Sequence, residues 1–256
     1  MLFDTHTHLH DPKFDDDREE VIEKIKASGV SALVNIGCDV LTSDFSIKLA
    51  HDYDFIYATV GVHPCDTADM TEEHLDKIRE LAKDNKVIAI GEIGLDYYWD
   101  NVDREVQKYW FVRQLQLAEE LDMPVVIHNR DAHEDTYNIL KDSSAKGIMH
   151  CFSGSKEMAE RFLKLGYYIS FAGPLTFKNN VRSVEAARIV PMDRLLIETD
   201  APYLAPDGFR GKRNDSSLVR YTCEKLAEIK GVAFEEMARQ TLVNAKKVYR
   251  IDDNNI

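Results

Sequence analysis

The side chains of this chain that could do chemistry are histidines and carboxylates, and they recur where short apolar runs end. Asp4, His6 and His8 share one parity, so in extended backbone all three project to the same face of a strand and its exit. Glu92 follows the run AIG, His128 ends VVIH, His150 ends GIMH, and Asp200 follows LLIET. A lone His-x-His is ordinary, and a lone His150 reads equally well as a hydrogen-bonded core residue. Six such groups at five strand ends, His6, His8, Glu92, His128, His150 and Asp200, make a set. Imidazole nitrogen with carboxylate oxygen and no thiolate suits zinc, manganese, iron or magnesium-like ions. Three or four protein ligands suffice for one ion. Six therefore leave enough for two divalent cations with positions open to water and substrate.

The elements that must position these groups are eight candidate strands at 2–6, 31–37, 55–61, 87–92, 125–128, 147–150, 168–172 and 195–199. Amphipathic segments separate most of them, with stripes such as Phe111, Leu115 and Ala118, or Met158, Phe162 and Leu165, at helical spacing. Strand–helix alternation over about 250 residues predicts a single α/β domain, 1–256, folded as a (β/α)8 TIM barrel. In that architecture the carboxyl ends of the strands share one rim, where active sites are built. Asp15 to Asp17 and Thr71-Glu72-Glu73 read as helix starts. No EF-hand spacing follows the three aspartates, so they do not read as a calcium loop. The Pro- and Gly-containing stretch 201–214 reads as a loop, and two helices, around 218–229 and 234–248, close the chain. The last should pack Phe234, Met237, Ala238 and Leu242 on the barrel.

A formal charge of −13 argues against a protein that coats duplex DNA by neutralising many phosphates, but does not exclude a nucleic-acid enzyme with a basic rim around one pocket. The four cysteines, Cys38, Cys65, Cys151 and Cys223, form no CxxC pair, which argues against a disulfide framework and a thiolate zinc site. No apolar stretch reaches membrane-spanning length, and the start MLFDTHTHLH lacks the segments of a signal peptide. A cytoplasmic monomer without a stable protein partner is the expectation.

The motifs FDTHTHL, GVHP, GEIGLDY, PVVIHNRDA, MHCFSG, IETDAPYL and GKRN, in that order and over nearly the whole chain, resemble the TatD family of metal-dependent deoxyribonucleases. The resemblance implies a barrel of the amidohydrolase kind that binds two divalent cations and hydrolyses DNA phosphodiesters, often as an exonuclease. Carried onto this sequence, it implies one cation at His6, His8, Glu92 and Asp200 and a second at Glu92, His128 and His150, with Glu92 bridging. The family often shows His-Pro-His where this chain has His63-Pro64-Cys65, and a Pro where Ser216 stands, departures that bear on the substrate-facing loops.

The mechanism these residues permit is in-line attack on phosphorus by a metal-activated water. Asp200 is the candidate general base, and Asp4 or Asp96 the candidate to orient a ligand histidine. His63, Arg130, Arg213 and Trp99 are the candidate substrate contacts. Arg130, Lys178, Arg182, Arg210, Lys212 and Arg213 would form the basic rim, with Arg213 the first choice for gripping phosphate. Tyr97, Tyr98 and Trp99 could stack a base of single-stranded substrate, or pack the loop. Two other readings stay open. One is a binuclear amidohydrolase, lactonase or phosphotriesterase acting on a small substrate. The other is a non-catalytic metal-binding module.

Overall fold

The computed structural model describes residues 1–99 and 101–252. Eight strands, β1 (Leu2–Thr7), β2 (Val30–Ile36), β3 (Ile56–Val60), β4 (Val87–Asp96), β5 (Val125–Arg130), β6 (Gly147–Met149), β7 (Tyr168–Phe171) and β8 (Leu195–Ile197), pair in parallel in sequence order. The sheet curls until β8 meets β1. There Asp200 donates its amide to the His6 carbonyl at 2.9 Å and His8 donates to Ala201 at 2.7 Å, so three residues of the predicted ligand set take part in the seam.

Helices α1 (Arg18–Ala27), α2 (Val40–Asp52), α3 (Glu72–Leu81), α4 (Arg104–Glu120), α5 (His133–Leu140), α6 (Lys156–Lys164) and α7 (Val181–Ile189) each follow one strand. Two more, α8 (Val219–Lys230) and α9 (Phe234–Tyr249), follow β8 after the loop at 201–214. The predicted stripes face inward: Phe111, Leu115 and Ala118 are buried in the layer between strands and helices, as is Phe162. Asp17 and Thr71 occupy the N-cap positions of α1 and α3, with Glu19, Glu20, Glu72 and Glu73 in the first turns, where carboxylates meet the positive end of the helix dipole.

A second apolar cluster fills the barrel itself. It takes one or more residues from every strand, including Phe3, Val34, Tyr57, Ala89, Val126, Ile148, Tyr168 and Leu196, together with Ala245, Val248 and Tyr249 of α9. The Tyr249 hydroxyl donates to the Thr5 carbonyl at 2.9 Å. The last helix thus seals the barrel beneath the polar layer formed by Asp4, His6 and Glu198. Met237 and Ala238 of α9 are buried as expected, while Leu242 and Phe234 are only partly so. Among the described residues no helix is long and apolar enough to cross a membrane.

One strand differs in a way that matters to the site. β4 was expected to end at Glu92 and runs four residues further, to Asp96. Its pairing with β5 shifts register between Ile90 and Ile93. A Cβ on Gly91 would lie 2.7 Å from Val126 Cβ, and one on Gly94, at φ +147, would lie 2.0 Å from the His128 carbonyl oxygen. These two glycines let β4 press against β5, which brings Glu92 beside His128 from mid-strand.

Candidate metal centre

His6 comes from the end of β1, His8 from the loop just after it, Glu92 from β4, and His128 from β5. His150 and Asp200 lie one and three residues past the ends of β6 and β8. All six meet at one rim, and their donor atoms fall into two groups. In the first, His6 Nε2 and His8 Nε2 lie 3.1 Å apart, at 3.5 and 3.3 Å from Asp200 Oδ1 and at 3.4 and 3.8 Å from Glu92 Oε2. In the second, His128 Nδ1 and His150 Nε2 lie 3.3 Å apart, each 2.7 Å from Glu92 Oε1. Glu92 thus presents one carboxylate oxygen to each group.

The groups behind these ligands fix which nitrogen faces the centre. His128 Nε2 lies 2.9 Å from Asp96 Oδ2, leaving Nδ1 for the site, so Asp96 orients one of the candidate ligand histidines. Asp4 does not. Its carboxylate accepts from the Thr199 amide at 2.9 Å, the Thr199 hydroxyl at 2.5 Å and the His6 amide at 3.3 Å, pinning the β1–β8 seam instead of an imidazole. Full burial lifts the Asp4 carboxyl to about 7 against these hydrogen bonds. The orienting carboxylate that sequence reasoning missed is Glu198, two residues before Asp200 and wholly buried. It accepts from the Cys151 amide at 2.7 Å and lies 3.1 Å from His150 Nδ1, which turns His150 Nε2 toward Glu92. Its signal was available in IETD, where Glu198 and Asp200 share parity.

The electrostatics suit bound cations. Burial works against the Glu92 carboxylate, yet His150, His6 and a hydrogen bond from His128 hold it well below the usual range, so it stays ionised. Burial likewise opposes the Asp200 carboxylate, and the His8 hydrogen bond with the His6 charge outweighs it. At His150 burial disfavours the imidazolium, but Glu92 and Glu198 raise it well above the ordinary histidine value. His8 and His128 are raised as well, while burial and the His150 charge lower His6; where the field holds protons on imidazoles, a divalent cation can displace them. Oxygen and imidazole donors that converge in two groups fit divalent ions of the zinc, manganese or magnesium kind.

Five of the six candidate ligands, all but the wholly buried His6, line a cavity of about 1170 Å³. His63 lines it, with Nε2 3.9 Å from Glu92 Oε1 and Nδ1 accepting from the Cys65 amide at 3.1 Å, so the ring carries its proton on Nε2. Burial and the adjacent His128 push His63 down to about 3, which keeps it neutral. Trp99 and Arg130 also line the cavity. Trp99 is 54% exposed, and the Arg130 guanidinium sits 3.7 Å from the Tyr98 ring centroid and 5.7 Å from that of Trp99.

Arg213, the first choice for phosphate, is placed elsewhere. Its Nη1 and Nη2 donate to Asp17 at 2.8 and 2.6 Å and Nη1 also to the Lys13 carbonyl, so its donors are taken by the start of α1. Lys178, Arg182, Arg210 and Lys212 are likewise absent from the cavity lining, which leaves Arg130 as its cation among the described residues. His10, Cys38 and Cys151, to which the sequence assigned no role in the site, also belong to the lining. His10 continues the parity of His6 and His8, a signal open to view.

Residues 3–250 match the family described as TatD related DNase. The chain is 51% identical over 98% of its length to the whole of the Bacillus subtilis protein described as uncharacterized metal-dependent hydrolase YabD. It is 34% identical, over 98% of its length and all of the relative's, to the 3'-5' ssDNA/RNA exonuclease TatD of Erwinia tasmaniensis. The crystal structure of YjjV, a TatD homolog from Escherichia coli K12, superposes with a TM-score of 0.93 at 30% identity over 98% of both chains. Eight parallel strands, a rim of histidines and carboxylates and these similarities together place the chain in the TatD-related family of metal-dependent hydrolases.

Proposed function

We propose that the protein is a binuclear metal-dependent nuclease that removes nucleotides from an end of single-stranded DNA. The observation that carries the binuclear reading is Glu92, whose two oxygens serve two separate clusters of donor atoms within one cavity. The nucleic-acid reading is supported by the aromatic–guanidinium group at the cavity wall and by relatives named as exonucleases. His6, His8, Asp200 and Glu92 would hold one divalent ion and Glu92, His128 and His150 a second, and such ions would supply Lewis acidity and charge neutralisation for the phosphoryl oxygens.

The chain's own residues do the rest. Asp200, ionised and facing the cavity, accepts the proton of the attacking water. His63, neutral and protonated on Nε2, donates a hydrogen bond to a phosphoryl oxygen. Arg130, held against Tyr98 and Trp99, grips the neighbouring phosphate, and the exposed Trp99 face stacks a base. A small non-nucleic substrate is the second reading, favoured by the single guanidinium in the lining.

Metal-stripped protein titrated with magnesium, manganese, cobalt and zinc on end-labelled single- and double-stranded DNA tests both. Divalent-dependent release of mononucleotides is expected, faster from the single strand. Turnover of lactones or cyclic amides with DNA left intact would establish the second reading instead.

A further inference from the structure

Beside the first ligand group stands a second kind of donor set. His8, His10 and Cys38 offer ligand atoms that all lie within 4.8 Å of one another, and the three side chains line the cavity. His8 turns Nε2 toward His6, Asp200 and Glu92, which leaves Nδ1 on the opposite edge of the ring. That Nδ1 is 3.6 Å from Cys38 Sγ. A zinc–sulfur bond of roughly 2.3 Å and a zinc–nitrogen bond of roughly 2.1 Å, meeting at a tetrahedral angle, hold sulfur and nitrogen about 3.6 Å apart. His10, edge-on to His8 with ring centroids 5.4 Å apart, supplies the third donor. Its Nδ1 is buried and has no hydrogen-bond partner among the described residues.

We propose that His8 Nδ1, His10 and Cys38 form an additional site for a thiophilic divalent cation, zinc or a chemical equivalent, and that filling it inhibits hydrolysis. Thiolate selects for soft ions, so magnesium and manganese, which prefer oxygen donors, leave it empty while serving the other groups. Binding releases the Cys38 thiol proton and the His8 Nδ1 proton to solvent, and the three protein donors leave the fourth position open to the cavity. His8 then becomes an imidazolate shared between two cations. The added positive charge then lies one imidazole ring from the first ligand group, and the added ion crowds the cavity wall. The site does not depend on which bond the enzyme cleaves.

Cobalt titration of the full chain tests it through thiolate-to-cobalt absorption in the near ultraviolet. One band-bearing equivalent per chain is expected, absent in Cys38→Ser and weakened in His10→Asn. In the unsubstituted chain, saturating zinc should protect Cys38 from iodoacetamide, read by peptide mapping, so this result does not rely on a variant folding. Zinc inhibition of manganese-supported turnover, scaled to each variant's own activity, should need at least about tenfold more zinc in Cys38→Ser, since even loss of an outer-shell partner costs that much affinity. The proposal is overturned by the absence of a thiolate band. It is equally overturned by a band that survives Cys38→Ser, which would belong to Cys65 or Cys151, or by unchanged Cys38 alkylation under zinc, the mark of a plain hydrogen bond to His8. The spectroscopic and alkylation readouts need no substrate, so a failure to cleave DNA leaves this test intact.

Discussion

His150 Nδ1 lies 3.1 Å from Glu198 Oε1, inside the barrel and out of reach of solvent. The contact aims His150 Nε2 at Glu92 from beneath. The His6 and His150 rings stack with centroids 4.0 Å apart and planes within 12°, and donor atoms of His6, His150 and Glu198 fall within 4.8 Å of one another. Glu198 therefore underlies one histidine from each ligand group. Glu198→Gln retains an acceptor and loses the charge, and is expected to weaken divalent-ion binding by about tenfold to a hundredfold. Titration calorimetry of the metal-free protein measures it. Unchanged affinity would assign Glu198 to packing alone.

Glu92 and His128 test catalysis against mere metal storage. His128→Ala removes Nδ1 from the second group while leaving the first intact, and Glu92→Gln strips charge from both. Each is expected to lower kcat by at least about a hundredfold, the upper end for loss of an outer-shell partner and a floor for loss of a ligand. Oligonucleotide binding should persist. Binding without turnover in the unsubstituted protein, under every divalent ion, would identify a non-catalytic module.

Trp99→Ala should raise KM for a single-stranded oligonucleotide by roughly fivefold to 150-fold, the equivalent of about 1–3 kcal/mol for one stacked base. Hydrolysis of a small aryl phosphodiester should be untouched. Equal losses on both substrates would mean that Trp99, together with Tyr98 and Arg130, holds the loop and not the base.

Arg130 and Arg213 separate a phosphate grip from a structural tie. Arg130→Ala is expected to raise KM about tenfold, as one charge-assisted hydrogen bond of roughly 1.5 kcal/mol implies. Arg213→Ala should leave KM alone, because its fork is already occupied by Asp17. Steady-state kinetics on both variants decides between them. The pair also marks how far the sequence could be read. His6, His8, His128 and His150 were legible because a polar residue at the end of an apolar strand has one place to go in a parallel barrel. Arg213 lies on a long loop, where no periodicity fixes direction and a tertiary partner 196 residues away captured it. Glu92 was legible as a candidate ligand, but its mid-strand setting was not, since it depends on Gly91 and Gly94 admitting β5 at close range. Glu198 was hidden by its neighbour Asp200, the more obvious carboxylate of IETD.

Glu119 supplies a pH test remote from the ligands. At the end of α4 it accepts from the Ser143 hydroxyl at 2.6 Å and from the Ser144 and Ala145 amides at 2.6 and 3.3 Å, tying the helix to the segment that enters β6. The Ser143 hydrogen bond, with those amides, holds its carboxyl below the ordinary value against a small burial effect. A carboxyl lowered on folding adds stability above its unfolded pKa and loses it as pH falls through the folded one. Because Glu119 is exposed, the contribution is small, about 0.5 kcal/mol, or a melting shift of about 1–2 °C at this chain length. Glu119→Gln should therefore melt lower than the unsubstituted chain near neutrality, with the gap closing as pH falls from about 5, just above the ordinary glutamate value, through the lower folded one. Paired melts across that window measure it, and a gap that stays constant with pH would assign the effect to hydrogen-bond geometry and not to charge.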